Sequence, residues 1–416
     1  MKMNNVKETK GNLLIIGGSY EQEPLVRKAK EMGYTSVVID LDENAPGYNI
    51  ADIRRKISTT DIPSTIALAK EFSVKGVLTN SSESAIPTVA ETAKALGLPG
   101  NSPNVAEATT DKEVMKLAFL KKNLPVADFV VVRDEKEAVL AADKLKFPCI
   151  IKPVDSAGSR GVLKIDNPDE VRKSFRYSIA FSKKKKCLVE EFIEGIEMSA
   201  DALSYQGKTE VLAISDKKKE SGKNNVAMNI VYPPRFSPEE VKKAKNLIKK
   251  VVDAVGIING PSHTEIIRRK KNDFVVLEIG SRGGGFYTFS KVVPAISGID
   301  TMKSIIDLAV GNPIKIKPKR NNAAVLRFIG GKPGKIVELG NIDEARKVQG
   351  VLDAGYFLKK GDLVKKIEKD GDRVGYMIII GKTQEAVIKA ADRVESLMRV
   401  KTTPEKTMVG EKNGSR

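Results

Sequence analysis

Two carboxylates, Glu265 and Glu278, stand in the stretch GPSHTEIIRRKKNDFVVLEIGSRGGG between Gly260 and Gly285. The stretch reads as two strands joined by a charged turn, Arg268 to Asp273. Alternate residues of a strand share a face, so Pro261, His263 and Glu265 point one way, as do Val276, Glu278 and Gly280. Paired as a hairpin, the strands bring both acids together beside Arg282 and a triple-glycine turn. Carboxylates set among Val275, Val276, Leu277 and Ile279 raise each other's pKa unless a cation sits between them. Hard oxygen donors of this kind suit Mg²⁺, which takes one or two carboxylates plus substrate phosphates. A nucleotide–metal site is the leading reading.

Other residues fit an anionic substrate. DSAGSRG, Asp155 to Gly161, follows an apolar strand, and its small residues let backbone N–H groups approach phosphate oxygens. No Gly-Lys-Ser/Thr follows, so it is not a Walker A loop. Lys152 ends the same strand among Cys149, Ile150, Ile151 and Pro153, where a lysine is costly unless it meets an anion. His263 is the only histidine in the chain. Sharing a face with Glu265, it is open to two roles, recognition of a substrate carboxylate or proton transfer. The turn Gly17-Gly18-Ser19 follows the first strand but lacks the G-x-G-x-x-G spacing of a dinucleotide site; holding part of a second substrate is the role left to it.

Alternating strand and helix patterns must position these groups. NLLIIGG, TSVVIDLD and GVLTN read as strands, separated by the helices EPLVRKAKEMG and IPSTIALAKEF and followed by SAIPTVAETAKALG. That order predicts a doubly wound parallel sheet. LPGNSPN, Leu98 to Asn104, breaks the pattern as a domain junction. An α+β unit, further strands and the hairpin follow, and a second α+β piece runs from about Ala323 to Val400. The expected class is α/β and α+β multidomain, divided at 1–104, 105–193, 194–320 and 321–402, with 403–416 as a disordered tail. The polar segment from Asp216 to Asn229 is expected to be mobile over the site.

The net charge is +18, from 71 basic and 53 acidic side chains. Most lysines lie on helix faces that read as solvated surface, as from Val241 to Val252, and the runs Lys183–Lys186 and Lys217–Lys219 carry no interleaved aromatics, so no nucleic-acid partner is expected. No apolar run is long enough for a bilayer and the N-terminus lacks a signal-peptide core, so a cytoplasmic protein without a membrane partner is expected. Cys149 and Cys187 lie in apolar strands and read as packing residues.

Taken in order, TTDKEVMK, IIKPVDSAGSRGV, LVEEFIEGIEMSAD, GPSHTEI and VLEIGSRGGG resemble the ATP-grasp superfamily over about residues 12 to 400. VLDAGYFLKKGDLV and DRVGYMIIIGKTQEAVIKAADRV are similar to the C-terminal subdomain of carboxylase-like members and of amino-acid ligases. The resemblance implies an ATP-grasp fold behind an N-terminal parallel-sheet domain, with a central lid subdomain and a C-terminal α+β region. It implies that Lys112 and Lys152 contact ATP phosphates under a lid of Ser156 to Gly161, including Gly158 and Ser159. Glu190, Glu191, Phe192 and Ile193 would line the adenine, and Glu197 would bind the ribose. Glu265 and Glu278 would hold Mg²⁺, or Mn²⁺ in its place. Arg282 would stabilise an acyl-phosphate, with Lys152 and His263 beside it. Gly280 stands where the family often has an asparagine ligand.

The implied chemistry is ATP-dependent, ADP-forming ligation of a small carboxylate to an amine. G-x-x-H-x-E and the triple glycine look closest to ligases that join amino acids. The C-terminal unit keeps a bicarbonate-activating, carboxyphosphate-forming enzyme as an alternative, although no biotin-carrier signature follows. A non-catalytic nucleotide-binding protein is the third reading. Many relatives dimerise, which leaves a homodimer open.

Overall fold

The computed structural model describes residues 9–219 and 226–403. Its contacts divide the chain into two units, Met1–Lys217 with Tyr232–Asn322 and Lys218–Val231 with Ala323–Arg416.

The first unit begins with β1 (Asn12–Ile16), α1 (Glu23–Glu31), β2 (Thr35–Ile39), α2 (Pro46–Asn49), β3 (Ile53–Arg55), α3 (Ile62–Glu71), β4 (Gly76–Leu78) and α4 (Ile86–Leu96). The strands form the expected parallel sheet in the order β3-β2-β1-β4. Leu13 to Ile16 are wholly buried, as a strand covered on both faces requires. β3 and α2 were not anticipated; three residues with two exposed arginines leave little apolar periodicity to read.

The supposed junction is itself helical. Ser102 caps α5 (Pro103–Ala108) through the Val105 N–H, and Asp111 caps α6 (Lys112–Lys121) through those of Glu113 and Val114. An antiparallel sheet in the order β5-β8-β6-β7 follows, from β5 (Phe129–Val132), β6 (Cys149–Pro153), β7 (Leu163–Ile165) and β8 (Cys187–Glu191). The helices α7 (Glu135–Leu145) and α8 (Val171–Ile179) cover it with Ala138, Ala142, Val171 and Phe175. Cys149 and Cys187 are buried there as free thiols, pushed up by burial to about 11 and 12.

Next in the chain come β9 (Ile196–Tyr205), β10 (Lys208–Lys219), β11 (Ala227–Tyr232), α9 (Pro238–Ala254), β12 (Gly260–Lys270) and β13 (Asp273–Gly280). Within this unit the order is β13-β12-β9-β10. One face of that sheet packs against α9 and α6 through Met198, Ala200, Ile248, Val252, Met115 and Phe119, so the opposite face is left to carry polar groups. The turn of the hairpin is tighter than expected: β12 continues to Lys270, and Lys271 and Asn272 alone reverse the chain. Asn272 accepts a φ of +63°, and Arg269 pairs with Asp273 across the turn at 3.0 Å. A π-helical turn (Thr288–Val292), α10 (Val293–Ser297) and α11 (Thr301–Ala309) close the unit.

The second unit holds β14 (Ala323–Ile329), β15 (Gly334–Leu339), α12 (Ile342–Lys347), β16 (Val351–Tyr356), β17 (Leu363–Val364), β18 (Gly375–Gly381), α13 (Gln384–Leu397) and β19 (Val400–Thr403). β14, β18 and β16 run in that order beside β11, covered by α12 and α13. A small sheet, β17-β15-β19, closes on Ile336, Val364 and Val374. Thr403, assigned to a tail from the sequence, belongs to this sheet; the rest of that expected tail, 404–416, lies outside the described residues. Parts of the polar segment expected to be mobile are strand. Asp216 to Lys219 finish β10 and Ala227 begins β11, while 220–225 lie outside the described residues. No helix among the described residues is long and apolar enough to cross a membrane.

Candidate active site

Glu265 and Glu278 face each other as directly paired residues of β12 and β13. A register shift follows at once, with Ile266 opposite Val276, so the bulge falls beside the two acids. Burial alternates along β12 as the sequence predicts: Ser262, Thr264 and Ile266 point inward, and His263 and Glu265 face the partly open side. Lys217 at the end of β10 lies against Glu265 and 3.1 Å from Glu197. Lys112 Nζ lies 3.5 Å from Glu278 Oε2. Burial opposes charge on both Glu265 and Lys217, but their mutual attraction prevails. Together with His263, Lys217 holds Glu265 well below the ordinary carboxylate range; Glu265 and Glu197 raise Lys217. Lys217, one member of a basic run in the sequence, has its side chain buried between two glutamates.

Among the described residues no group of three or more His, Cys, Asp or Glu side chains has a metal-holding arrangement. The site therefore offers two hard carboxylates flanked by ammonium groups. That donor set fits a divalent cation whose other ligands come from phosphate oxygens and water.

The cations have local causes. Lys112 is the first residue of α6, where its backbone N–H bonds to Val154 O at 2.8 Å and its Nζ reaches Ser156 O at 2.8 Å. One side chain thus links the base of the glycine loop to Glu278. Burial disfavours its charge, yet Glu278 and Glu83 raise its pKa above the ordinary value. Within the loop Gly158, Ser159 and Gly161 all adopt positive φ, and Gly158 to Arg160 are exposed. Gly161 is anchored: Ser178 Oγ donates to its carbonyl at 2.6 Å, and a Cβ there would meet Pro153 at 2.8 Å. A tip free of packing between fixed ends suits a lid.

Lys152 meets a protein carboxylate, Glu190 Oε1, at 2.5 Å, and Lys116 lies 2.9 Å from Glu190 Oε2. All three are at least 94% buried. The Glu190 side chain is thereby taken up by lysines. β8 ends at Glu191, and Phe192 and Ile193 follow, with Lys164 4.8 Å above the Phe192 ring and Ile193 packed on Ala127, Ile267 and Val275. Glu197 follows at the start of β9.

At the other end of the hairpin, Arg282 Nη2 bonds to Glu83 at 3.1 Å and Nη1 to Gly283 O at 3.1 Å. Burial works against this guanidinium, but Glu83, Glu278 and Glu21 keep its pKa raised. Asn80 O accepts the Gly283 N–H at 2.9 Å, which joins the loop after β4 to the triple-glycine turn. Close approach explains two of the glycines: a Cβ at Gly283 would lie 2.3 Å from the Phe289 ring, and one at Gly284 would lie 2.8 Å from both Asp201 Oδ1 and His263 Nδ1. Asp201, wholly buried on β9 and paired in register with His263, accepts from His263 Nδ1 at 3.2 Å and from the Gly284 N–H at 2.6 Å. Burial would lower the imidazole pKa, but Asp201 and Glu265 raise it above 6.5. Glu21, in the turn after β1, accepts the N–H of Phe286, which with Tyr287 has positive φ. Asp201, Lys116 and Glu21 were not singled out from the sequence; each acquires its place from a partner on a distant segment.

The buried triad has a measurable consequence. Despite burial, Lys116 and Lys152 hold the Glu190 carboxyl at about 2, against an ordinary 4.5. Its ion pairs therefore stabilise the fold fully above pH 4.5, and that contribution is lost as pH falls toward 2. The shift caps the contribution at about 3 kcal/mol; the cost of burying Lys116, whose pKa burial lowers, offsets part of it. Urea unfolding at pH 5 and pH 3 should show a smaller stability loss for Glu190→Gln than for the wild type. Equal losses would rule the triad out as a source of acid lability.

The geometry has close counterparts. A model described as an ATP-grasp domain matches residues 145–289, and one described as L-amino acid ligase C-terminal domain 2 matches residues 327–403. The L-arginine-specific L-amino acid ligase of Bacillus subtilis is 26% identical over 64% of this chain and 66% of that protein. The formate-dependent phosphoribosylglycinamide formyltransferase of Ignicoccus hospitalis is 23% identical over 93% of this chain and 95% of its own. Among solved structures, the L-amino acid ligase from Bacillus licheniformis superposes with a TM-score of 0.82 at 21% identity, covering 95% of this chain and all of that one. Phosphoribosylglycinamide synthetase from Anaerococcus prevotii gives 0.76 at 25% identity, over 94% of this chain and all of that one. With its lysine-flanked glycine loop, its paired strand carboxylates and these matches on both units, the chain carries an ATP-grasp domain at residues 145–289 and an L-amino acid ligase C-terminal domain at residues 327–403.

Proposed function

We propose that this protein is an ADP-forming ligase that activates an amino acid at its carboxylate and joins it to a second amino acid. The observation that carries the reading is the facing pair Glu265–Glu278, bracketed by Lys112 and Lys217, with Arg282 and His263 at the same end of the hairpin. The match of the second unit to the L-amino acid ligase C-terminal domain supports the choice of amino acids.

In this reading Glu191 to Ile193 line the adenine and Glu197 takes the ribose. Lys112, Lys152 and Lys217 meet phosphate oxygens beneath the loop Ser156–Gly161. Glu265 and Glu278 hold Mg²⁺, whose chemistry is to neutralise charge on the transferring phosphoryl group. A carboxylate oxygen of the first substrate attacks the γ-phosphorus; the bond to the ADP oxygen breaks and an acyl-phosphate forms. The second substrate's amine nitrogen then attacks the acyl carbon, phosphate leaves with the C–O electron pair, and the nitrogen loses a proton. Arg282, fixed by Glu83, stands where charge develops on the acyl-phosphate and the leaving phosphate. His263, oriented by Asp201, is the group beside it able to accept the amine proton or to bind a substrate carboxylate. The closed loop keeps water from the hydrolysable acyl-phosphate.

The test is ADP and phosphate release with ATP, Mg²⁺ and a matrix of amino-acid pairs, with single amino acids, bicarbonate and ammonia as further wells and mass spectrometry on the hits. Release that needs two amino acids and yields their condensation product is the expected result. Release with bicarbonate alone would replace this reading with carboxyphosphate formation. ATP binding with no turnover in any well would favour a non-catalytic role.

A further inference from the structure

The proposed mechanism uses Lys152 but leaves Lys116 without a task, although Lys116 is 1% exposed on α6. A buried ammonium is retained only where something compensates it. Its compensation is Glu190, one carboxylate serving two lysines from two elements: Lys152 on β6 at Oε1 and Lys116 on α6 at Oε2. Both contacts are buried ion pairs, 2.5 Å to Lys152 and 2.9 Å to Lys116. Lys112 adds a third, more distant positive charge that acts on Glu190. The cluster thus carries more positive than negative charge in a buried place beside a glycine loop.

We propose that Lys116 is a positioning residue that keeps Glu190 compensated while Lys152 is drawn toward a nucleotide's phosphates. This rests on the nucleotide-site reading above. Without Lys116, Lys152 would be the sole close partner of a carboxylate 4% exposed. Moving its ammonium toward a phosphate would then leave an unpaired buried anion, and the cost would fall on phosphate binding alone. With Lys116 present, Glu190 keeps one cation in either arrangement and Lys152 can be shared.

Binding of ATP, ADP and adenosine to the full chain distinguishes this from a general structural role. In Lys116→Met, shown folded by its thermal transition, ATP and ADP affinity should fall roughly ten- to hundredfold, the scale of losing one charged contact. Adenosine, which recruits no phosphate-binding lysine, should bind within about twofold of wild type by ligand-observed NMR, and Lys116→Arg should recover ATP affinity. The double variant Lys116→Met/Glu190→Gln removes the buried anion together with its guard. It should bind ATP more tightly than Lys116→Met alone, and it serves as the readout where the single variant does not fold. Equal weakening of adenosine and ATP, unchanged ATP affinity, or a double variant no better than the single would each overturn this inference. A wild type that binds no ATP would instead overturn the nucleotide-site reading, and this inference with it.

Discussion

Glu278→Gln is expected to lower ATP-dependent ADP release by at least about 10³-fold while the protein stays folded. The substitution keeps shape and one oxygen but removes the negative charge opposite Glu265 in the hairpin register. Charge neutralisation at a transferring phosphoryl group is worth several kcal/mol, and half of the protein's carboxylate donor set would be gone. The folding cost is small by comparison. Glu278 is one-third exposed and its contact to Lys112 is 3.5 Å long. Lys112 keeps its bond to Ser156 O, so a loss of about 1–2 kcal/mol is expected. Steady-state ADP release and a thermal melt on the same preparation separate the two effects. Turnover equal to wild type would remove Glu278 from the metal site.

Arg282→Ala is expected to lower kcat by about 10²–10³-fold with ATP affinity little changed. Arg282 lies just past the open end of the hairpin, bonded to Glu83 and Gly283 rather than to the loop Ser156–Gly161. Its contribution should therefore appear after ATP is bound, where charge develops on the acyl-phosphate and leaving phosphate. Truncation also leaves Glu83, 15% exposed, without its partner, which costs about 1–3 kcal/mol of stability. Calorimetric ATP titration beside the turnover assay tests the separation. A variant that loses ATP binding in proportion to turnover would move Arg282 into the nucleotide site; one that turns over normally would remove it from the mechanism.

The parts legible from the sequence share one property: they depend on neighbours in the chain. Leu13 to Ile16 announce a buried strand, and Asp111 with Glu113 announces the start of α6 and so places Lys112. Period-two alternation puts His263 and Glu265 on one face of β12, and the structure keeps them there. The isolated lysine in CIIKP signals that an anion must stand opposite Lys152, but the sequence is silent on which one. It proves to be Glu190, on a strand reached only after a loop, a further strand and a helix.

What local pattern could not supply is pairing between distant segments. Lys217 looks like one member of a basic run until β10 is laid beside β9, when it falls between Glu197 and Glu265. Asp201 sits unremarked in a strand, yet register with β12 sets it against His263 and the Gly284 N–H. Glu83 and Glu21 follow different strands of the parallel sheet and reach the glycine turn only because that sheet delivers its strand ends there. Propensity and alternation are short-range preferences, and they settled the element types, the carboxylate-bearing hairpin and the glycine loop. Charge compensation in a buried site is long-range: each lysine or carboxylate tolerates burial only beside an opposite charge, and the packed sheets set which one that is.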